Sequence, residues 1–235
     1  MEKLIYILVG EPNAGDSSLG QVLITETADS LRKRGALRIQ INIVDPDLGP
    51  PFGVAPDPGA ANLIAVVSMW VDTAEGYDFR GVLPDPGFDR AWWGYLVSES
   101  EPLRNTTVLP GPDRRVPGFA QMVLLTRPEG LNWGEWRRRW QGAHTAVALA
   151  TQSSFRYVQN VIFRAVTLGA PPYVAVVEEC FPLTAASDLH VFFDAVGDDS
   201  RLARHMAAMS ESCDRFMDGA SPVSWTVEYL FPEET

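Results

Sequence analysis

His144 is the residue whose type and setting most readily suggest chemistry. It follows Trp133, Trp136 and Trp140. At the rotation of a regular helix these four residues and Val147 fall in one stripe, so the imidazole continues an aromatic face that should look onto a sheet. An imidazole titrates near neutral pH, and a neutral His144 could take a proton from carbon or hydroxyl and then return it. An apolar setting would depress its pKa and favour the neutral base. The plain alternative is a core histidine bonded to a backbone carbonyl. Trp136 and Trp140 read as pocket walls or as simple core, with Trp140, one turn before His144, the better wall.

The segment Phe155-Arg156-Tyr157-Val158-Gln159-Asn160 supplies the next candidates. Tyr157 could donate a hydrogen bond to a developing enolate or phenolate oxygen. Strand alternation puts Tyr157 and Gln159 on one face and Asn160 on the other, so Asn160 could join them only through a bulge. Glu178 and Glu179 are adjacent in a strand, and one must point inward. An inward carboxylate, carried here as Glu179, could orient His144 or act as a second acid or base; it could equally pair with Arg127 or Arg164. His190 and His205 lie too far apart to share a helix face. No HxH, HExxH or CxxC spacing occurs, so no metal site is expected. Gly10 to Asp16 has two glycines but no nucleotide-binding register and reads as a loop.

The elements that would position these groups repeat once. Strand Leu4 to Val9, helix Leu19 to Arg34, strand Leu37 to Val44, a Pro- and Gly-dense loop from Asp45 to Gly59, strand Leu63 to Val71, a helical stretch near Phe88 to Trp93 and strand Gly94 to Ser100 give β-α-β-β-α-β. The second half follows with strand Phe119 to Thr126, helix Trp133 to Gln152, strand Phe155 to Val166, a turn at Gly169 to Pro172 and strand Tyr173 to Phe181. A helical region from Asp188 to Met217, broken near Gly197, and strand Ser224 to Phe231 complete it. Asn132, with Glu135 three residues on, marks the start of the tryptophan helix as a capping box. The expected fold is therefore α+β: two tandem ferredoxin-like βαββαβ units, 1–103 and 118–235, joined by a Pro-rich connector at 104–117. Each four-stranded sheet would leave one apolar face uncovered, and the two units would bury those faces together as an intramolecular pseudo-dimeric α/β barrel.

A strand ending in Arg127-Pro128, then W-x3-W-x3-H at Trp136, Trp140 and His144, then Y-V-Q-N at Tyr157 to Asn160, resembles the EthD family of the dimeric α/β-barrel superfamily over about Gln121 to Phe231. The resemblance implies His144 as the functional histidine, with Tyr157, Gln159 and Asn160 at the polar end of the following strand. It also implies a cofactor-independent enzyme acting by proton transfer on a small hydrophobic substrate, as an isomerase, dehydratase, cyclase or lyase. Some tandem barrels of that superfamily hold haem through one histidine of the second unit, which makes His144 a haem ligand in an alternative reading; a third reading is a non-catalytic module that binds a hydrophobic ligand. The first half has no helix histidine and carries Ile39 where the second has Tyr157, so it reads as scaffold and the site as single.

Composition narrows the partners. The formal net charge of −11 argues against nucleic acid or anionic lipid as a partner, and the one basic run, Arg137 to Arg139, reads as a solvated helix face. No apolar run approaches a membrane span, the first residues read as a strand rather than a signal segment, and two cysteines without pairing spacing suit a reducing cytoplasm. The expected partner is a small hydrophobic molecule, with no cofactor; a homodimer of the internal pseudo-dimer is conceivable on the exposed edges and helix faces.

Overall fold

In the computed structural model, the described residues are 1–10, 16–49, 51, 62–75, 79–87, 90–217 and 221–233. Eight strands carry the fold: β1 (Glu2–Val9), β2 (Arg38–Val44), β3 (Leu63–Val71), β4 (Ala91–Leu103), β5 (Phe119–Leu125), β6 (Arg156–Ala165), β7 (Ala175–Phe181) and β8 (Val223–Phe231). They close into one barrel in the order β1-β3-β2-β8-β5-β7-β6-β4, every neighbouring pair antiparallel. The first four strands occupy one continuous arc, β4-β1-β3-β2, and the last four another, β8-β5-β7-β6. Two seams, β2 with β8 and β4 with β6, join the arcs and remove every sheet edge.

Closure gives each strand a lumen face and an outer face. Ile5, Ile7, Val9, Val66, Tyr95, Val97, Met122, Leu124 and Val176 fill one part of the lumen. Outside the first arc, α1 (Asp16–Val22), a π-helical turn Leu23–Thr27 and α2 (Ala28–Lys33) lay Leu23, Ala28 and Leu31 onto Leu4, Tyr6, Ile39, Ile41 and Val67. Outside the second, α3 (Trp133–Arg137), a π-helical turn Arg138–His144 and α4 (Thr145–Thr151) lay Trp136, Trp140 and Ala148 onto Val123, Leu125, Tyr157, Ala175 and Val177. α5 (Leu189–Phe192) and α6 (Asp199–Cys213) complete that layer, separated by a break that includes Gly197 at positive φ.

The stretch expected to be helical near Phe88 to Trp93 is not: Ala91, Trp92 and Trp93 are strand, paired with Val9, Leu8 and Ile7. The two tryptophans face opposite ways, as a strand requires: Trp92 packs in the outer layer and Trp93 against the lumen cluster. Phe88 and Asp89 lie outside the described residues, as do 11–15 of the first glycine loop and 50 and 52–59 of the Pro-rich loop. Asn132 caps α3 as expected, its side chain accepting from the Glu135 amide at 2.9 Å. Glu135, however, turns to Arg138 and Arg139 instead of reaching back to the cap.

Gly118 opens β5 at φ 106°, and a Cβ there would lie 2.2 Å from the carbonyl oxygen of Phe181. Backbone conformation and space both demand glycine. Gly118→Ala is expected to cost about 2 kcal/mol or more, read as a lower urea midpoint at unchanged slope; an unchanged midpoint would contradict this reading of the turn.

Candidate functional site

The barrel brings polar groups together on both of its faces. On the outer face of the second arc, Trp225, Gln121, Glu179 and Tyr157 form one cross-strand row over β8, β5, β7 and β6. Trp225 donates its indole N–H to Gln121 Oε1 at 3.3 Å, and Gln121 donates to Glu179 Oε2 at 3.3 Å. Glu179 is 5% exposed, and its other oxygen, Oε1, has no hydrogen-bond partner. Burial raises this carboxyl to a pKa of about 7. Beside it, Tyr157 is held well above the usual phenol range by burial and by the Glu179 carboxylate.

The tryptophan helix closes over this row. Trp136 and Trp140 are fully buried with ring centroids 4.9 Å apart, and the Trp136 indole donates to the Phe216 carbonyl at 3.1 Å. Gln159 donates to Thr145 Oγ1 at 2.7 Å and accepts from Gln141 at 3.3 Å, tying the strand to the helix beside Tyr157. The π-helical turn spreads one turn over an extra residue, a device often found where a helix serves a site. The buried stripe therefore runs Trp136, Trp140, His144, Ala148, past the Val147 expected from regular winding.

His144 consequently meets α6 and the chain just beyond it. Its Nδ1 lies 2.9 Å from Ser212 Oγ, and its ring sits 4.7 Å from that of Phe216. Burial lowers its pKa to about 4, so the imidazole is neutral at working pH. Among the sequence candidates, Trp140, Tyr157 and Gln159 meet in one layer, with Glu179 across the strand from Tyr157. His144 and Trp136 border that layer. Asn160 is on the other face, donating to the Val176 carbonyl at 3.2 Å, with its Oδ1 unpartnered.

A second cluster fills the lumen, and sequence reasoning missed it. Arg156 donates to Glu101 at 3.1 Å, Glu228 at 2.6 Å and Gln40 at 3.3 Å, and lies 3.6 Å from Glu178. Gln40 and Asn42 donate to Glu178 at 2.6 and 3.2 Å. Glu178 is thus the lumen-facing member of the acidic pair, and its partner is neither Arg127 nor Arg164; Arg164 pairs with Glu75. Near the same end, Lys3 bonds Glu99 at 2.5 Å and lies 4.4 Å from the Trp70 ring centroid. Burial, the neighbouring Glu178 and Arg156 together set Glu228 to about 7, the two carboxyls sharing one guanidinium. The signal available in the sequence was a polar or charged residue of one parity within each otherwise apolar strand, at Lys3, Gln40, Asn42, Arg156, Glu178 and Glu228.

Neither region is arranged around a prosthetic group. Glu178, Cys180 and Glu228 place ligand atoms within 4.8 Å of one another, but Arg156 already bonds Glu228 and lies 3.6 Å from Glu178. The set is an ion-pair cluster. The surroundings of His144 do not suit a haem: the imidazole is buried, with the Phe216 ring 4.7 Å from its own and the fully buried Trp136 and Trp140 along the same helix face.

No family model matches the chain, and no curated protein matches it. Solved structures do. A crystal structure of an anthrone oxidase-like protein superposes with a TM-score of 0.53 at 9% identity, covering 99% of this chain and 92% of the other. The "putative monooxygenase from Lactobacillus acidophilus NCFM" does so with a TM-score of 0.51 at 11% identity, over 99% and 97%. At these identities the likeness is one of fold: an α+β protein with a closed eight-stranded antiparallel barrel. The EthD resemblance stays with its residue pattern. No helix among the described residues is long and apolar enough to cross a membrane.

Two outcomes follow. Arg156→Met leaves buried carboxylates without their cation and is expected to cost about 3–5 kcal/mol in chemical denaturation. Glu179 gives a pH signature. Its folded pKa, about 7, lies above the ordinary 4.5, so its stabilisation is complete below about 4.5 and is lost as pH rises through 7. His144 acts oppositely, its contribution being lost as pH falls from 6.5 towards 4. Urea midpoints of Glu179→Gln should therefore decline less than wild type between pH 4.5 and 7.5. Parallel profiles would mean that Glu179 titrates normally.

Proposed function

We propose that the chain is a cofactor-independent enzyme that moves a proton on a small hydrophobic substrate in the layer between the tryptophan helix and the second arc. The observation that carries this reading is the unpartnered, buried Oε1 of Glu179 beside Tyr157. A buried oxygen without a donor is costly unless it is protonated or meets a ligand, and a carboxyl of pKa about 7 is matched to both halves of an acid–base cycle at neutral pH. Glu179 would abstract the proton, and Tyr157, which stays protonated, would donate to the developing oxyanion. His144, neutral and bonded to Ser212, would hold the helix seam and offer Nε2 as a hydrogen-bonding group. Trp140 would supply the apolar wall, and Gln159, tied to Thr145, would fix the strand beside it.

The two halves are read as tandem ferredoxin-like units, supported by their matching strand orders and by the π-helical turn that each outer helix carries. Only the second carries the Tyr157 and Glu179 row. The fold neighbours are named for oxidation, and removing a proton from carbon is a first step that oxidation of a carbon acid shares with isomerisation or elimination. The test therefore reads the proton. In deuterium oxide, the protein should accelerate loss of the α-hydrogen NMR signal of benzylic ketones such as phenylacetone. Glu179→Gln and Tyr157→Phe should each lower that rate by about 100-fold while the circular dichroism spectrum is kept. No acceleration across such a panel, or full rate in both variants, would overturn the assignment.

A further inference from the structure

Away from that layer, at one mouth of the barrel, a cleft of about 460 Å³ is lined by Val108, Arg115, Pro117, Gly118, Phe155, Pro182 and Leu183. Its volume lies within the range of small-molecule sites. Its walls are apolar except for one guanidinium. They are also built in advance: Asn105 accepts from the amides of Thr107 and Val108 and donates to the Val108 carbonyl, while Arg115 is set by a turn in which its amide bonds Asp113 and its carbonyl accepts from Gly111.

The floor is closed. Phe155 lies against Gly118, where an added Cβ would sit 3.3 Å from its ring, and beyond this pinch are Cys180 and Glu228 of the lumen. A ligand would rest over Phe155 without entering the ion-pair cluster. Arg115 is two-fifths exposed, and its ion-pair partner among the described residues, Asp45, is 3.8 Å away, outside hydrogen-bonding distance. A guanidinium at an apolar cleft with a loose ion partner is arranged for a planar anion, which it can hold through two parallel hydrogen bonds.

We propose that this cleft is a binding site for a small aromatic carboxylate, its ring over Phe155 between Pro117 and Leu183 and its carboxylate on Arg115. The site is separate from the proton-transfer layer and does not depend on that reading. The 235-residue chain is titrated with 1-naphthylacetate, and with 1-naphthaleneethanol as its uncharged counterpart, by fluorescence and calorimetry. Saturable one-to-one binding of the acid is expected. Arg115→Gln should weaken the acid about tenfold, the scale of a charged hydrogen bond, and leave the alcohol unchanged. Asp45→Asn should tighten the acid, because it removes the competing carboxylate. Leu183→Asp, at an exposed position, should weaken both probes. Tyr157→Phe and Glu179→Gln should alter neither. Absence of saturation, wild-type affinity in Arg115→Gln, unchanged or weaker affinity in Asp45→Asn, or loss of binding in Tyr157→Phe would overturn the proposal.

Discussion

Closure of the sheet is the constraint on which the rest of the structure depends. The seams β2–β8 and β4–β6 leave no strand edge exposed and turn one face of every strand to the lumen, while the helices cover much of the other. A charged side chain directed to the lumen then has no water to fall back on and must find partners within the barrel. Arg156 answers that demand by bonding Glu101, Glu228 and Gln40, and Gln40 and Asn42 complete the shell of Glu178. These contacts span both arcs. Besides filling space, the lumen cluster helps to specify how the two arcs meet.

The same closure sorts neighbouring residues into different chemistry. Glu178 and Glu179 are adjacent in sequence, yet one belongs to an ion-pair network and the other to an apolar layer with a single donor. Tyr157 and Arg156 divide in the same way. A shift of register by one residue would exchange these sets, burying Glu179 against Arg156 and setting Glu178 under the tryptophan helix. Register and site chemistry are therefore one constraint.

Most elements were legible in the sequence because they are periodic or capped. The apolar runs of β1, β3 and β5, the Asn132 cap and the Trp136 and Trp140 stripe needed only local rules. Two features were not local. Ala91 to Trp93 offered a short apolar run that could serve a helix or a strand, and pairing with β1 decided it. The π-helical turn at Arg138–His144 has no sequence marker, and it carries the buried stripe past Val147 and sets His144 against Ser212 and Phe216. The lumen cluster was hidden for a related reason. Its members come from six strands, and nothing in a single strand says which charges will face each other.

The importance assigned to His144 changes for a physical reason. Spacing placed an imidazole on an aromatic face, which would suit a base if that face met a substrate. Burial against Phe216 holds its pKa near 4, and a group that far below neutrality is a weak base and gives up any proton it accepts. Glu179 is displaced in the other direction by the same cause, because desolvation disfavours whichever form is charged. One apolar layer thus keeps a histidine neutral and brings a carboxyl to the middle of the working range. Of the two, the carboxyl is the group whose proton is held loosely enough to leave and tightly enough to return.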